Sequence, residues 1–259
     1  MKKIGISLLG ILLLTTSALA EPTQVKVRVI AQDAKVIGTG VGGVRVIVEE
    51  AVTGDILAKE THLGRTGDTD SIMRTPLQRQ SNRFPNDNAA YVEPVVDIAE
   101  PTLVNICAEG PLAYPQAMQK AMKTILLIPG EDIAGEGIIL TLHGFIVEIM
   151  EPESVDRIPE GEKIELQASV RMLCGCPTEP GGLWDSNDYK IEAMLLQNKQ
   201  VMKKKPMTFA GQTNIYETSF LAPSLNGKEK APVEVVVVVS QPKKANFGMD
   251  RTTYLIVKK

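Results

Sequence analysis

Valines and polar residues alternate near the start of the chain, with Val25, Val27 and Val29 set between Gln24, Lys26 and Arg28. Period-two alternation puts one face in a core and the other in water, so a strand is predicted here. A glycine-bearing loop (Gly38, Gly40, Gly42, Gly43) leads to a second strand, Val44 to Glu49. Thr53-Gly54-Asp55 then reads as a hairpin turn, with Ile56 to Thr61 as the returning strand. Strand patterns also cover Val92 to Ile98, Thr102 to Ala108, Lys123 to Ile128 and Gly137 to Ile149, and Pro115 to Met122 suits a short helical turn. The clearest half-buried strand sets Ile164, Leu166, Ala168, Val170 and Met172 against Glu165, Gln167, Ser169 and Arg171. Tyr189 to Leu196, Thr213 to Phe220, Val233 to Ser240 and Thr252 to Val257 continue the series, with Gly and Pro in the turns.

Short strands at this spacing, without a long helical pattern, predict an all-β chain of antiparallel sandwiches rather than a parallel sheet. Two tandem sandwiches are expected, over residues 22–149 and 150–259, with the acidic, Pro-containing Glu151 to Glu162 segment between them; a single large β domain is the alternative. Residues 62–94 break the pattern, being rich in Gly, Asp, Ser, Arg, Asn and Pro. They read as a long polar loop or mobile insertion, a kind of segment that is usually functional or disordered.

The first twenty residues carry a different message. Lys2 and Lys3 precede an apolar run, Ile4 to Leu14, and Ala18-Leu19-Ala20 supplies small residues for cleavage. This is the order of a cleaved signal peptide over residues 1–20. The run is about eleven residues, where a membrane span needs about 20. The mature chain has no longer apolar run, so no transmembrane segment is expected in it. Cleavage removes two lysines and no acids, and the net charge moves from −3 to −5 (26 basic against 31 acidic residues). That balance gives no footprint for nucleic acid. A periplasmic destination follows as the expectation.

Val41-Gly-Gly-Val-Arg-Val-Ile-Val-Glu49, followed by Thr53-Gly-Asp-Ile-Leu-Ala58, resembles the start of carboxypeptidase-regulatory or transthyretin-like domains. The resemblance implies a seven-strand sandwich serving as a binding or spacer module. The second half is similar in strand pattern to a bacterial immunoglobulin-like domain, without the widely spaced cysteines of antibody domains. Folds of either kind host many functions.

Candidate chemistry is sparse. An exported protein meets an oxidising compartment, which makes Cys107, Cys174 and Cys176 disulfide candidates, with one thiol left over if all pairing is internal. Cys174-Gly-Cys176 opens a loop running to Trp184. As thiolates the two sulfurs, helped by Met172 or His143, form a candidate soft-metal site for copper or zinc; the same pair also suits a thiol carrier or redox role. His143 is expected on a strand face with Thr141, Phe145 and Val147, and His62 is expected in solvent. Asp68 and Asp70 lack the Gly and Glu that complete a calcium loop. Asp185 and Asp188 read as turn residues, and Lys203-Lys-Lys205 as a solvated edge or turn. No nucleophile elbow, zinc-protease motif or phosphate loop occurs. The expected function is therefore an exported, non-enzymatic module without cofactor, contacting another exported or membrane-associated protein through loop 62–94 and the Cys174–Trp184 loop. Metal delivery and thiol chemistry are the alternatives.

Overall fold

Alternating valines set the first strand in place, and the pattern repeats through the chain. The computed structural model describes residues 20–84, 88–153 and 157–259; most of the expected export leader lies outside the described residues. Strands run in the order β1 (Glu21–Ala31), β2 (Val44–Glu50), β3 (Ile56–His62), β4 (Val95–Ile98), β5 (Thr102–Gly110), β6 (Gln119–Leu127), β7 (Ile133–Leu142) and β8 (Phe145–Glu151). They continue with β9 (Arg157–Pro159), β10 (Lys163–Met172), β11 (Lys190–Gln197), β12 (Gln200–Pro206), β13 (Thr208–Phe209), β14 (Ile215–Leu221), β15 (Lys230–Gln241) and β16 (Asn246–Val257). Helical structure among the described residues is confined to short turns, such as Pro115–Ala117 and Asp70–Arg74. The chain is all-β.

Four sheets form two facing pairs. In the first, β4-β1-β7 lies against β3-β2-β5-β6. Val25, Val27 and Val29 on β1 meet the inward row of Val44, Val46 and Val48 on β2, all buried. In the second, β13-β14-β10-β8 lies against β12-β11-β15-β16-β9. The latter order is that of an immunoglobulin-type sandwich: D-E-B-A against C′-C-F-G, with β9 added parallel to β16. Buried apolar residues of both pairs belong to one connected core.

The apolar stretch Gly137 to Ile149 divides between the pairs. β7 ends at Leu142 beside β1, and β8 begins at Phe145 beside β10. Exposed His143 and left-handed Gly144 (φ +145°) make the crossing, so His143 sits in a link rather than on a strand face.

Residues 63–84 and 88–94 are more ordered than their composition suggests. They lie over the outer face of β1, where Phe84, Ala89 and Ala90 close over Ile30 and Val36, with Ile72 and Ile139 packed alongside. Phe84, Ala89, Ala90 and Ile72 face inward, while Leu63 and Leu77 stay exposed. The stretch is a cover with its own small core.

Candidate functional site

The Cys174 loop is built from a tight turn at the end of β10. The N–H of Gly175 donates to the Met172 carbonyl at 2.8 Å, and the Met172 N–H donates to the Cys176 carbonyl at 3.1 Å. Gly175 is left-handed (φ +79°), and a Cβ there would stand 2.9 Å from Val41 Cγ1 of the other pair of sheets. Both the backbone angle and the close approach require glycine. The turn brings Cys174 and Cys176 together as a disulfide, and both are buried. Met172 beneath them is fully buried, its sulfur accepting the Tyr189 hydroxyl at 3.6 Å. Cys107 is a buried free thiol on β5, opposite Met122 and Ile47, and burial raises its pKa.

The rest of the loop is tied to the junction between the two pairs of sheets. Trp184, the single tryptophan, is buried and donates its indole N–H to the Asp33 carbonyl at 2.9 Å. The Asp33 carboxylate meets Lys244 at 3.1 Å. Asn246 is completely buried. It accepts the Gly144 N–H at 2.9 Å and donates to the Gln32 carbonyl at 3.2 Å and to Gln241 Oε1 at 3.3 Å. Nearby, Arg171 bonds the Tyr114 hydroxyl at 3.0 Å and the Glu148 carboxylate, and Gln116 donates to the Val147 carbonyl at 3.3 Å. Asp185 is spent on its own turn, accepting from the Gly181 and Asn187 N–H groups at 2.9 Å, and these bonds lower its pKa.

His143, Cys174 and Cys176 do not form a ligand group: no three His, Cys, Asp or Glu side chains among the described residues stand together as a metal site. A disulfide also lacks the thiolates that a soft metal needs. The cysteine turn packs against Val41 at the junction between the two pairs of sheets.

A second cluster was not expected from the sequence. His62 is completely buried, not solvated, because it ends β3 opposite Val44 in the inward row. The edge of β1 is served in turn by Pro94, Val92 and the 35–37 segment, and the gap between them leaves the Val29 N–H free. His62 Nε2 accepts that N–H at 3.3 Å, while Nδ1 has no partner. Burial holds the imidazole at a pKa of about 4, against an upward pull from backbone hydrogen bonds of Ala90, His62 and Ile37; the Arg28 charge adds a smaller push down. Arg28 is itself fully buried under the cover. Its guanidinium donates to the carbonyls of Ala89 (3.0 Å), Ala90 (3.4 Å) and Glu136 (3.2 Å), and it lies over the rings of Phe84 and Tyr91. The usable signal was positional: Arg28 belongs to the polar face of an otherwise apolar strand, and a polar segment long enough to cover that face follows.

The outer face of β12-β11-β15-β16 leaves Phe247 (52 % exposed), Met249 (37 %) and Met202 (51 %) in solvent. The ion pairs Lys190–Glu192, Lys204–Glu192 and Arg251–Glu234 lie around them.

No family model matches the chain, and no curated protein sequence matches it. Solved structures with some likeness include a DUF3823 family protein from Bacteroides ovatus (11 % identity, TM-score 0.32, covering 92 % of this chain and 100 % of that one). The fibronectin(III)-like modules of Clostridium thermocellum CbhA share 10 % identity at a TM-score of 0.27, covering 92 % of this chain and 94 % of theirs. A chimeric titin Z1Z2 tandem matches at 10 % identity and a TM-score of 0.27, over 93 % and 99 %. At such scores the likeness carries no argument about activity, and the immunoglobulin-type assignment rests on the strand order.

Proposed function

We propose that this chain is an exported, non-enzymatic module that braces or binds a partner protein outside the cytoplasm, in a periplasm. The observation that carries the reading is the junction. Trp184, Asn246, Asp33, Lys244 and the Cys174–Cys176 turn, the side chains with the richest chemistry, are committed to holding one pair of sheets against the other. In this reading the first pair acts as a transthyretin-like spacer, and the immunoglobulin-type pair presents the contact surface. Rigid scaffolds with exposed loops are the usual carriers of such contacts. The partner is another exported or membrane-associated protein, met through the exposed parts of the cover, the tip of the 177–183 loop, or the sheet face bearing Phe247 and Met249.

A photo-crosslinking residue placed at Leu77, Leu183 or Phe247, each exposed, tests this in the source cell; Val52 on the β2–β3 turn is the control. A discrete protein adduct from at least one of the three, absent at Val52, is expected. Absence of any discrete adduct at all three sites contradicts the proposal.

A further inference from the structure

The cover over β1 is held by a definite set of ties. Val27 and Val92 exchange two backbone bonds (2.8 and 3.0 Å), the Val36 N–H reaches the Thr66 carbonyl (3.3 Å), and Gly64 is joined to Thr39 by two bonds of 2.9 Å; within the cover the Ala90 N–H reaches the Arg65 carbonyl (2.8 Å). Arg28 adds its bonds to Ala89 and Ala90 from below. The small cluster under the cover is separate from the main core, so it can open at a fraction of the free energy of global unfolding.

His62 is the residue from which the cover starts, and its ring fills the gap in the β1 edge. As a neutral imidazole it accepts the Val29 N–H. Once protonated it loses that acceptor and carries two N–H groups in a buried space beside the Arg28 charge; the cost of burying the charge outweighs what the backbone groups of Ala90, His62 and Ile37 return. Relief comes when the ring leaves the gap. That movement takes Leu63 and Gly64 with it and strains the Gly64–Thr39 and Ala90–Arg65 bonds.

We infer that the cover is an acid-operated seal: protonation of His62 releases residues 63–84 and 88–92 and bares the apolar patch around Ile30, Val36 and Ile139. The other charged groups on the packing elements are already engaged. Lys26 on β1 pairs with Glu93 ahead of β4, and Arg45 on β2 pairs with Glu109 on β5. Lys35 bonds the Gly67 carbonyl and Thr69 of the cover, Asp68 accepts from Ser71, and the Glu136 carboxylate accepts the Arg83 N–H. Arg65, in the cover itself, is exposed.

Hydrogen exchange on the full chain tests the seal. A histidine held at about 4 when closed and at its ordinary 6.5 when open raises the opening equilibrium about 30-fold between pH 7.5 and pH 5. Cover peptides from residues 63–84 are expected to lose about 30-fold in protection, corrected for intrinsic exchange, while β15 and β16 keep theirs. His62→Gln, whose amide oxygen can accept the Val29 N–H without titrating, is expected to show less than a threefold change. An equal loss in wild type and variant, or a loss shared by β15 and β16, overturns the inference. Should His62→Gln fail to fold, the NMR titration of His62 in the wild type decides. Protonation well below 6.5 in step with loss of cover protection supports the seal, and protonation near 6.5 with protection intact overturns it.

Discussion

His62 sits in the inward row opposite Val44 with one nitrogen satisfied and the other without a partner. Its pKa falls from 6.5 to about 4 on folding, so the folded state binds fewer protons than the unfolded chain between these values. Stability is therefore full above about pH 7 and is lost as pH falls through 6.5 towards 4. Between pH 7.5 and pH 4.5 the loss from this group is about 2.5 kcal/mol. Urea unfolding at the two pH values should show wild type losing that much more than His62→Gln, which cancels the carboxylates common to both. Gly175 is the second telling residue: its left-handed φ and the nearby Val41 leave no room for a Cβ. Gly175→Ala is expected to cost about 1–2 kcal/mol, read as a lower urea midpoint. Cys107 completes the set as a buried thiol with its pKa raised by burial. The native protein should take up no alkylating label, the unfolded unreduced chain one, and the reduced chain three. Two reactive thiols in the native protein would instead return Cys174 and Cys176 to the soft-metal and thiol-carrier readings.

At the scale of elements, period two was easy to read where one strand face is buried and the other wet. β10 follows the alternation of Ile164 to Met172 almost to the residue. Legibility failed where burial departed from alternation. β1 is buried on both faces because the cover closes over Lys26, Arg28 and Ile30, and only the fold brings the cover there. β12 was marked only by Lys203 to Lys205, read as a solvated edge or turn, because all its residues are exposed and no apolar row runs along it. Its lysines have a definite place, however. Lys205 and Lys203 reach from this edge strand to the Ser219 and Leu221 carbonyls at 2.7 and 3.5 Å, closing the side of the sandwich. Charge on an edge strand opposes pairing with another chain. Replacing both lysines with valine is expected to increase self-association at neutral pH, measured by light scattering, with little change in the monomer's melting temperature.

On the scale of the whole molecule, an all-β chain of antiparallel sheets was legible from the strand count and turn spacing. The expected break at residue 149 was not where the sheets divide, since β8 already pairs with β10 from Phe145. The union of the two pairs of sheets was not legible, because it depends on residue pairs far apart in sequence: Trp184 with Asp33, Asn246 with Gln32 and Gly144, Gly175 with Val41. Nothing local distinguishes these residues from ordinary loop residues. Their joint effect is a connected core running through both pairs of sheets. A brace needs that connection, since sandwiches joined only by a linker would move independently. Scanning calorimetry of the mature protein at neutral pH tests this most directly. A single transition is expected, with calorimetric and van't Hoff enthalpies equal, splitting or broadening in Trp184→Ala. Two resolved transitions in the wild type would contradict the account.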